Sequence, residues 1–202
     1  MEPEQEAKWT ALQQKVTECK ACSLHLTRIQ AVFGEGDLSA PFLFVGEAPG
    51  SVENVKGRPF IGKTGVFLRK KMYEAGFRKG DVYITNTVRC RPPDNREPLP
   101  EELSRCFGYL HEQIKLIQPK CIVAVGSVAF KMLVPNSKKK IGAVRGDRFA
   151  AFGCVIVPTW HPSYVLRSFN ILREKELLKD LRRAYEEFMP EERKKRSGDD
   201  GT

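Results

Sequence analysis

Four apolar runs bounded by turn-forming residues stand out along the chain: FLFVG at 42–46, VYITNTV at 82–88, CIVAVG at 121–126 and CVIVPTW at 154–160. Runs this short, with no polar alternation, predict strands covered on both faces. Between them apolar residues recur at helical spacing. Residues 5–18 carry Ala7, Ala11, Leu12 and Val16, and residues 64–76 carry Val66, Phe67, Met72 and Ala75. Residues 100–118 carry Leu103, Phe107, Leu110, Ile114 and Ile117. A short helix is predicted over 127–133 and a last one over 172–188. Strands alternating with helices predict an α/β fold, a parallel sheet with helices on both faces.

Right-handed crossovers bring the C-terminal ends of such strands to one rim, and ligands bind outside it. GEAPG at 46–50 follows the first run, Asn86 ends the second, Gly126-Ser127 follows the third and Trp160-His161-Pro162 the fourth. One composite site at four strand ends is therefore expected. The pattern contains no internal repeat, and 202 residues predict one domain, here 1–188. The polar stretch MPEERKKRSGDDGT, 189–202, is expected to be a disordered tail.

Composition narrows the class. With 41% hydrophobic and 29% charged residues the chain is neither disordered nor fibrous. Its 34 Lys and Arg against 25 Asp and Glu give a net charge of +9, which favours a polyanionic partner such as nucleic acid or an acidic surface. No apolar run approaches the ~20 residues of a membrane span, and the start, MEPEQEAKW, lacks an apolar leader. A cytoplasmic protein with reduced cysteines is expected.

Cys19 and Cys22 form a C-x-x-C pair; 67 intervening residues precede Cys90, and 15 more separate it from Cys106. A redox pair, a zinc site, an iron–sulfur site and four buried free thiols all remain open on spacing. The split second pair weakens zinc, and a position after a helix weakens a thioredoxin-like pair. Cys121 and Cys154 each open an apolar strand and read as core. GRPFIGKT at 57–64 matches the phosphate-loop pattern G-x-x-x-x-G-K-[ST] literally. Its context argues against it: ten residues separate it from the preceding strand, and Pro59 removes an amide that would cradle phosphate.

Taken together, GEAPG, GRPFIGKTG, ITNTVRCRPP and WHPSYVLR, with the four cysteines, closely resemble the iron–sulfur family-four uracil-DNA glycosylases over residues 9–188. The resemblance implies a three-layer α/β/α sandwich with a central four-stranded parallel sheet. It implies a monofunctional enzyme that flips uracil out of DNA and hydrolyses its N-glycosidic bond. It also implies a structural [4Fe-4S] cluster on Cys19, Cys22, Cys90 and Cys106. A cytoplasmic, nucleoid-associated prokaryotic monomer acting on single- or double-stranded DNA is the corresponding expectation. The alternative is a DNA-binding, damage-sensing module of the same fold, suggested by Asn54 where many relatives carry an acid.

The resemblance also distributes roles. Asn86 matches uracil O4 and N3–H with one carboxamide. Phe60 stacks on the base, and stacking contributes roughly 1–3 kcal/mol. His161 donates toward O2 as the uracil anion develops. Gly46 and Glu47 add backbone contacts, and Glu47 positions water or stabilises charge, because the Asp of the family-one GQDPY motif becomes Ala48 here. Ser163–Arg167 resembles an intercalation loop, with Leu166 the wedge. Ser163, Arg167, Arg91, Arg145 and Arg148 are candidate DNA contacts, as is Lys138–Lys140, although any of these charges can equally be a solvated surface group. His25 and His111 read as structural. No lysine stands at a nucleophile position, so lyase chemistry is not expected.

Overall fold

The four apolar runs are the parallel heart of the sheet, and two strands absent from the expectation flank them. In the computed structural model, which describes residues 3–168 and 171–194, the strands are β1 (Glu35–Gly36), β2 (Phe42–Gly46), β3 (Val82–Asn86), β4 (Cys121–Val125), β5 (Phe149–Ala151) and β6 (Cys154–Thr159). Their order is β1-β3-β2-β4-β6-β5. The pairs β2–β3, β2–β4 and β4–β6 are parallel, whereas β1–β3 and β5–β6 are antiparallel. The sheet is therefore mixed and six-stranded, which corrects the four-stranded parallel expectation. The added edge strands hold only two and three residues, Glu-Gly and Phe-Ala-Ala, too short for a pattern to mark them.

The helices are α1 (Pro3–Thr17), α2 (Ser51–Lys56), α3 (Lys63–Glu74), α4 (Pro100–Ile117), α5 (Ser127–Leu133), α6 (Ile141–Val144), α7 (Pro162–Ser168), α8 (Ile171–Phe188) and α9 (Glu191–Lys194). Alternate residues of each central strand face opposite layers. Phe42, Phe44, Val123 and Val125 join Leu68 and Met72 of α3 and Leu177 and Leu181 of α8. Leu43, Val45, Ile122 and Ala124 join Trp9, Leu12 and Val16 of α1, Leu110 and Ile114 of α4 and Phe130 of α5. Continuous apolarity along a strand is thus the signature of burial from both sides. Cys121 is fully buried in this core, while Cys154 is half-buried beside it and its thiol lies 3.3 Å from the Ala151 carbonyl.

Three local readings change. Residues 163–167, expected as a loop, lie on helix α7. The chain beyond 188 does not fray at once: Met189 is buried, α9 follows, and Arg193 donates to the carbonyls of Gly80 and Ser39. The expected disorder over 189–194 is thereby corrected, and 195–202 lie outside the described residues. Asn54 is buried and accepts the Ile29 amide at 3.0 Å, so it braces a loop. Among the described residues no helix is long and apolar enough to cross a membrane.

Candidate active site

Register alone assembles the rim. Gly46 pairs with Asn86 across β2 and β3, Val45 with Ala124 across β2 and β4, and Val125 with Thr159 across β4 and β6. The four strands therefore end level, and the residues that follow them share one edge.

Gly46, Phe60 and Asn86 meet there. A Cβ on Gly46 would overlap the Phe60 ring and come within 2.5 Å of Asn86 Oδ1. Only glycine lets the ring and the carboxamide crowd the strand end this closely. Phe60 reaches the place in a left-handed conformation, φ 52°, which a bulky residue adopts only when its surroundings impose it. Arg69 imposes it by donating to the carbonyls of Pro59 and Phe60, both at 2.9 Å. Gly65 leaves room, because a Cβ there would overlap the Phe60 backbone. Asn86 is 2% exposed, and its Oδ1 is a buried acceptor with no partner. Leaving such an atom unsatisfied costs about 1–3 kcal/mol, so the pocket is short of one donor.

Glu53 explains the failed phosphate loop. Its Oε1 accepts the amides of Ile61 and Gly62 at 3.0 and 2.7 Å, ahead of α3. The protein's own carboxylate thus sits where a phosphate loop would hold its anion. The segment 57–64 is a fixed arm that presents Phe60.

His161 stands across the rim, packed on Gly126, where a Cβ would lie 2.9 Å from its own Cβ. The Ser163 amide donates to His161 Nδ1 at 3.2 Å, and the Ser163 hydroxyl lies 2.6 Å from the same nitrogen. Nδ1 is therefore the acceptor and Nε2 carries the proton, free to donate. Burial, with Arg167 nearby, lowers the imidazole pKa to about 4, so the ring is neutral at physiological pH. Burial raises the Glu47 carboxyl above its ordinary value, Glu97 raises it further, and Arg167 opposes both. Arg167 is thus an electrostatic neighbour of Glu47 and His161 alike.

The outer residues divide. Arg167 is exposed and Leu166 half-buried on α7, and Arg91 bonds Asn95 Oδ1 at 2.8 Å. Lys138, Lys139 and Lys140 are exposed. Arg145 is committed elsewhere, paired with Asp180 at 2.6 Å and Glu176 at 2.9 Å, and Arg148 pairs with Glu187 at 2.5 Å. Arg145 is therefore a bracket between the β5 approach and α8, a correction to its candidacy as a DNA contact. Ser163 sets the His161 tautomer. His25 Nδ1 lies 2.7 Å from the Cys22 carbonyl, and His111 stacks on Phe107.

Cys19, Cys22, Cys90 and Cys106 line a single cavity together with Val16, His25, Arg28, Arg89, Arg105 and Tyr109. Burial raises the Cys22 and Cys90 thiols and pushes Cys106 up to about 11. Arg28 donates to Cys90 Sγ at 2.9 Å, and the Ala21 amide to Cys19 Sγ at 3.4 Å. The contributions of Glu53, Arg69 and Ser163 escape sequence reading, since each acts through a contact that only folding creates.

The His161 environment yields a pH test. The unfolded chain protonates its imidazole near 6.5, whereas the folded chain holds it neutral to about pH 4. Stability from this group is complete above pH 6.5 and is lost as pH falls toward 4, by roughly 3 kcal/mol at most. The melting temperature of wild type is expected to fall over that window more steeply than that of His161→Gln. Parallel slopes would mean that the imidazole titrates normally.

A family model described as the uracil DNA glycosylase superfamily matches residues 33–184. The chain is 44% identical over 172 residues to the type-4 uracil-DNA glycosylase of Thermotoga maritima, spanning 85% of this chain and 90% of the relative. It is 40% identical over 163 residues to the type-4 uracil-DNA glycosylase of Pyrobaculum aerophilum, spanning 77% and 83%. Against the type-5 uracil-DNA glycosylase of the same archaeon identity is 31% over 165 residues, spanning 74% and 73%. With its rim assembled on the matched segment and its nearer likeness to the type-4 relatives, the chain belongs to the uracil-DNA glycosylase superfamily, in the type-4 family.

Proposed function

We propose that the protein hydrolyses the N-glycosidic bond of uracil extruded from DNA, leaving an abasic site. The observation that carries the assignment is the orphaned Oδ1 of Asn86, buried against Phe60 and Gly46. Uracil supplies the missing donor, N3–H, while the carboxamide nitrogen of Asn86 donates to O4. Cytosine presents an amino donor in place of O4 and lacks the N3–H, so the same carboxamide rejects it. The Phe60 ring supplies the stacking face.

The remaining residues follow the charge. As C1′–N1 breaks, its electron pair passes to N1 and spreads to O2, and the sugar becomes oxocarbenium-like. The Nε2–H of neutral His161 donates to O2, an interaction stronger in the transition state than with neutral uracil. Water adds to C1′, and the proton it releases balances the departing uracil anion, which is protonated at N1. Glu47, after the end of β2, orients that water or offsets the sugar's positive charge. Arg167 and Arg91 bring phosphate near the rim, so affinity falls with salt.

The cysteine cavity fits a [4Fe-4S] cluster held by Cys19, Cys22, Cys90 and Cys106. A zinc ion needs its thiolates about 2.3 Å from one point, and the wide spacing of Cys90 and Cys106 in the chain does not supply the second close pair usual in such sites. Four thiols spread round one chamber suit a cluster that takes one thiolate per iron. When bound, the cluster supplies a cross-link between the segment after α1, the segment after β3, and α4.

Single-turnover excision from a uracil-containing oligonucleotide tests the assignment. Wild type is expected to release uracil and to contain about four irons per chain. Asn86→Asp is expected to lose at least about 100-fold in rate, because a carboxylate meets O4 with a second acceptor. Absence of uracil release by wild type, or unaltered excision by Asn86→Asp, would refute the assignment. Gly46→Ala is expected to abolish uracil binding and to lower the melting temperature by several degrees, roughly what an overpacked core contact costs, since its methyl overlaps the Phe60 ring and the Asn86 carboxamide. Retained affinity for a non-cleavable uracil oligonucleotide would place the base elsewhere.

A further inference from the structure

Between the cysteine cavity and the rim lies Arg89, 1% exposed and the largest fully buried side chain in the molecule's described part. Its Nη1 donates to the main-chain carbonyl of Asn86, and its Nη2 to Gln113 Oε1 at 2.6 Å. Gln113 is itself oriented, because its Nε2 donates to the Phe33 carbonyl at 3.0 Å. The third donor, Nε, is buried without a partner. Among the described residues no carboxylate pairs with this guanidinium; the ionisable groups it senses are Cys106, Tyr83 and Cys90. Arg28 and Arg105 also line the chamber, but Arg28 bonds the Thr17 carbonyl and keeps partial access to solvent, and Arg105 is exposed. A buried guanidinium lacking a counter-charge is strongly unfavourable, yet the chain places one here.

We propose that Arg89 is the fixed counter-cation of the four-cysteine chamber and, through the same guanidinium, the positioning residue of Asn86. The inference rests on the reading of Cys19, Cys22, Cys90 and Cys106 as cluster ligands. A cluster bound by four thiolates carries net negative charge, and that charge neutralises Arg89. The neutralised guanidinium then holds the strand end from which the Asn86 carboxamide projects. Cluster occupancy and uracil recognition are thereby coupled through one residue. A lysine in its place would keep the charge but could not bond Asn86 and Gln113 from one planar fork.

A double-mutant cycle in the full chain tests this, with melting temperature and iron content as readouts. In the cysteine-intact background, Arg89→Met is expected to lower the melting temperature by roughly 10 °C, because the anionic chamber loses its partner. In the Cys90→Ala background, which is expected to lose iron, the same substitution should raise it by about 5 °C, since it removes a cation left without a counter-charge. A merely structural Arg89 predicts losses of similar size in both backgrounds. Arg89→Lys is expected to retain iron and stability yet bind an oligonucleotide bearing non-cleavable 2′-fluoro-deoxyuridine about 10-fold more weakly. Additive losses, a Cys90→Ala/Arg89→Met chain that no longer folds, or uracil affinity untouched in Arg89→Lys would overturn the inference. Full iron retention by Cys90→Ala would instead overturn the ligand reading beneath it.

Discussion

The closeness of the Phe60 ring to the Cα of Gly46, over the carboxamide of Asn86, is the constraint around which this molecule is arranged. It requires glycine at the end of β2, since any side chain would occupy the contact. It requires β2 and β3 to end level, as the pairing of Gly46 with Asn86 provides. It also requires an aromatic residue held in a left-handed backbone conformation that such residues avoid. Arg69, Glu53 and Gly65 are the means by which the segment between α2 and α3 is held there. A pocket fixed this way before a ligand arrives loses little binding energy to ordering.

Charge placement follows the same logic of restraint. His161 is stripped of solvent and kept neutral, with Ser163 directing the remaining proton to Nε2. A neutral donor gains strength as negative charge grows on its acceptor, whereas a cation would bind the ground state and neighbouring phosphates as well. Glu47 follows the end of β2, where burial raises its carboxyl and Arg167 opposes that rise. Away from the rim, buried carboxylates are used as brackets. Asp180 holds Arg145 and Thr159, and Glu102 holds Arg96, the Leu99 amide and Ser23. Removing one partner from such brackets would strand a buried charge, and the Asp180 bracket joins α8 to β6 through Thr159.

Much of this was legible in the chain. The helices observed over Lys63–Glu74, Pro100–Ile117 and Ser127–Leu133 follow their apolar periodicity to within a residue or two, and the four central strands coincide with the four apolar runs. The motifs at the strand ends proved informative because parallel crossovers force strand ends together, whatever the intervening sequence. Asn54 and the phosphate-loop pattern share a feature: each is a chemically suggestive side chain or motif whose partner lies in another segment, and for the phosphate loop the sequence context already argued against a nucleotide site. Asn54 accepts the main-chain amide of Ile29, and the amides of Ile61 and Gly62 already donate to Glu53.

Sequence by itself determined the layered α/β architecture, the common edge of the strand ends and the identity of the chemically capable residues. Burial on two faces and helical periodicity are local in the chain, so they can be read without coordinates. Tertiary structure alone decided the antiparallel edge strands, the helical state of residues 163–167, the tautomer of His161, the commitment of Arg145 to Asp180 and the isolation of Arg89 beside the cysteines. Each of these depends on contacts between segments far apart in sequence, where hydrogen-bond geometry and desolvation act, and no linear pattern encodes which distant group will be there.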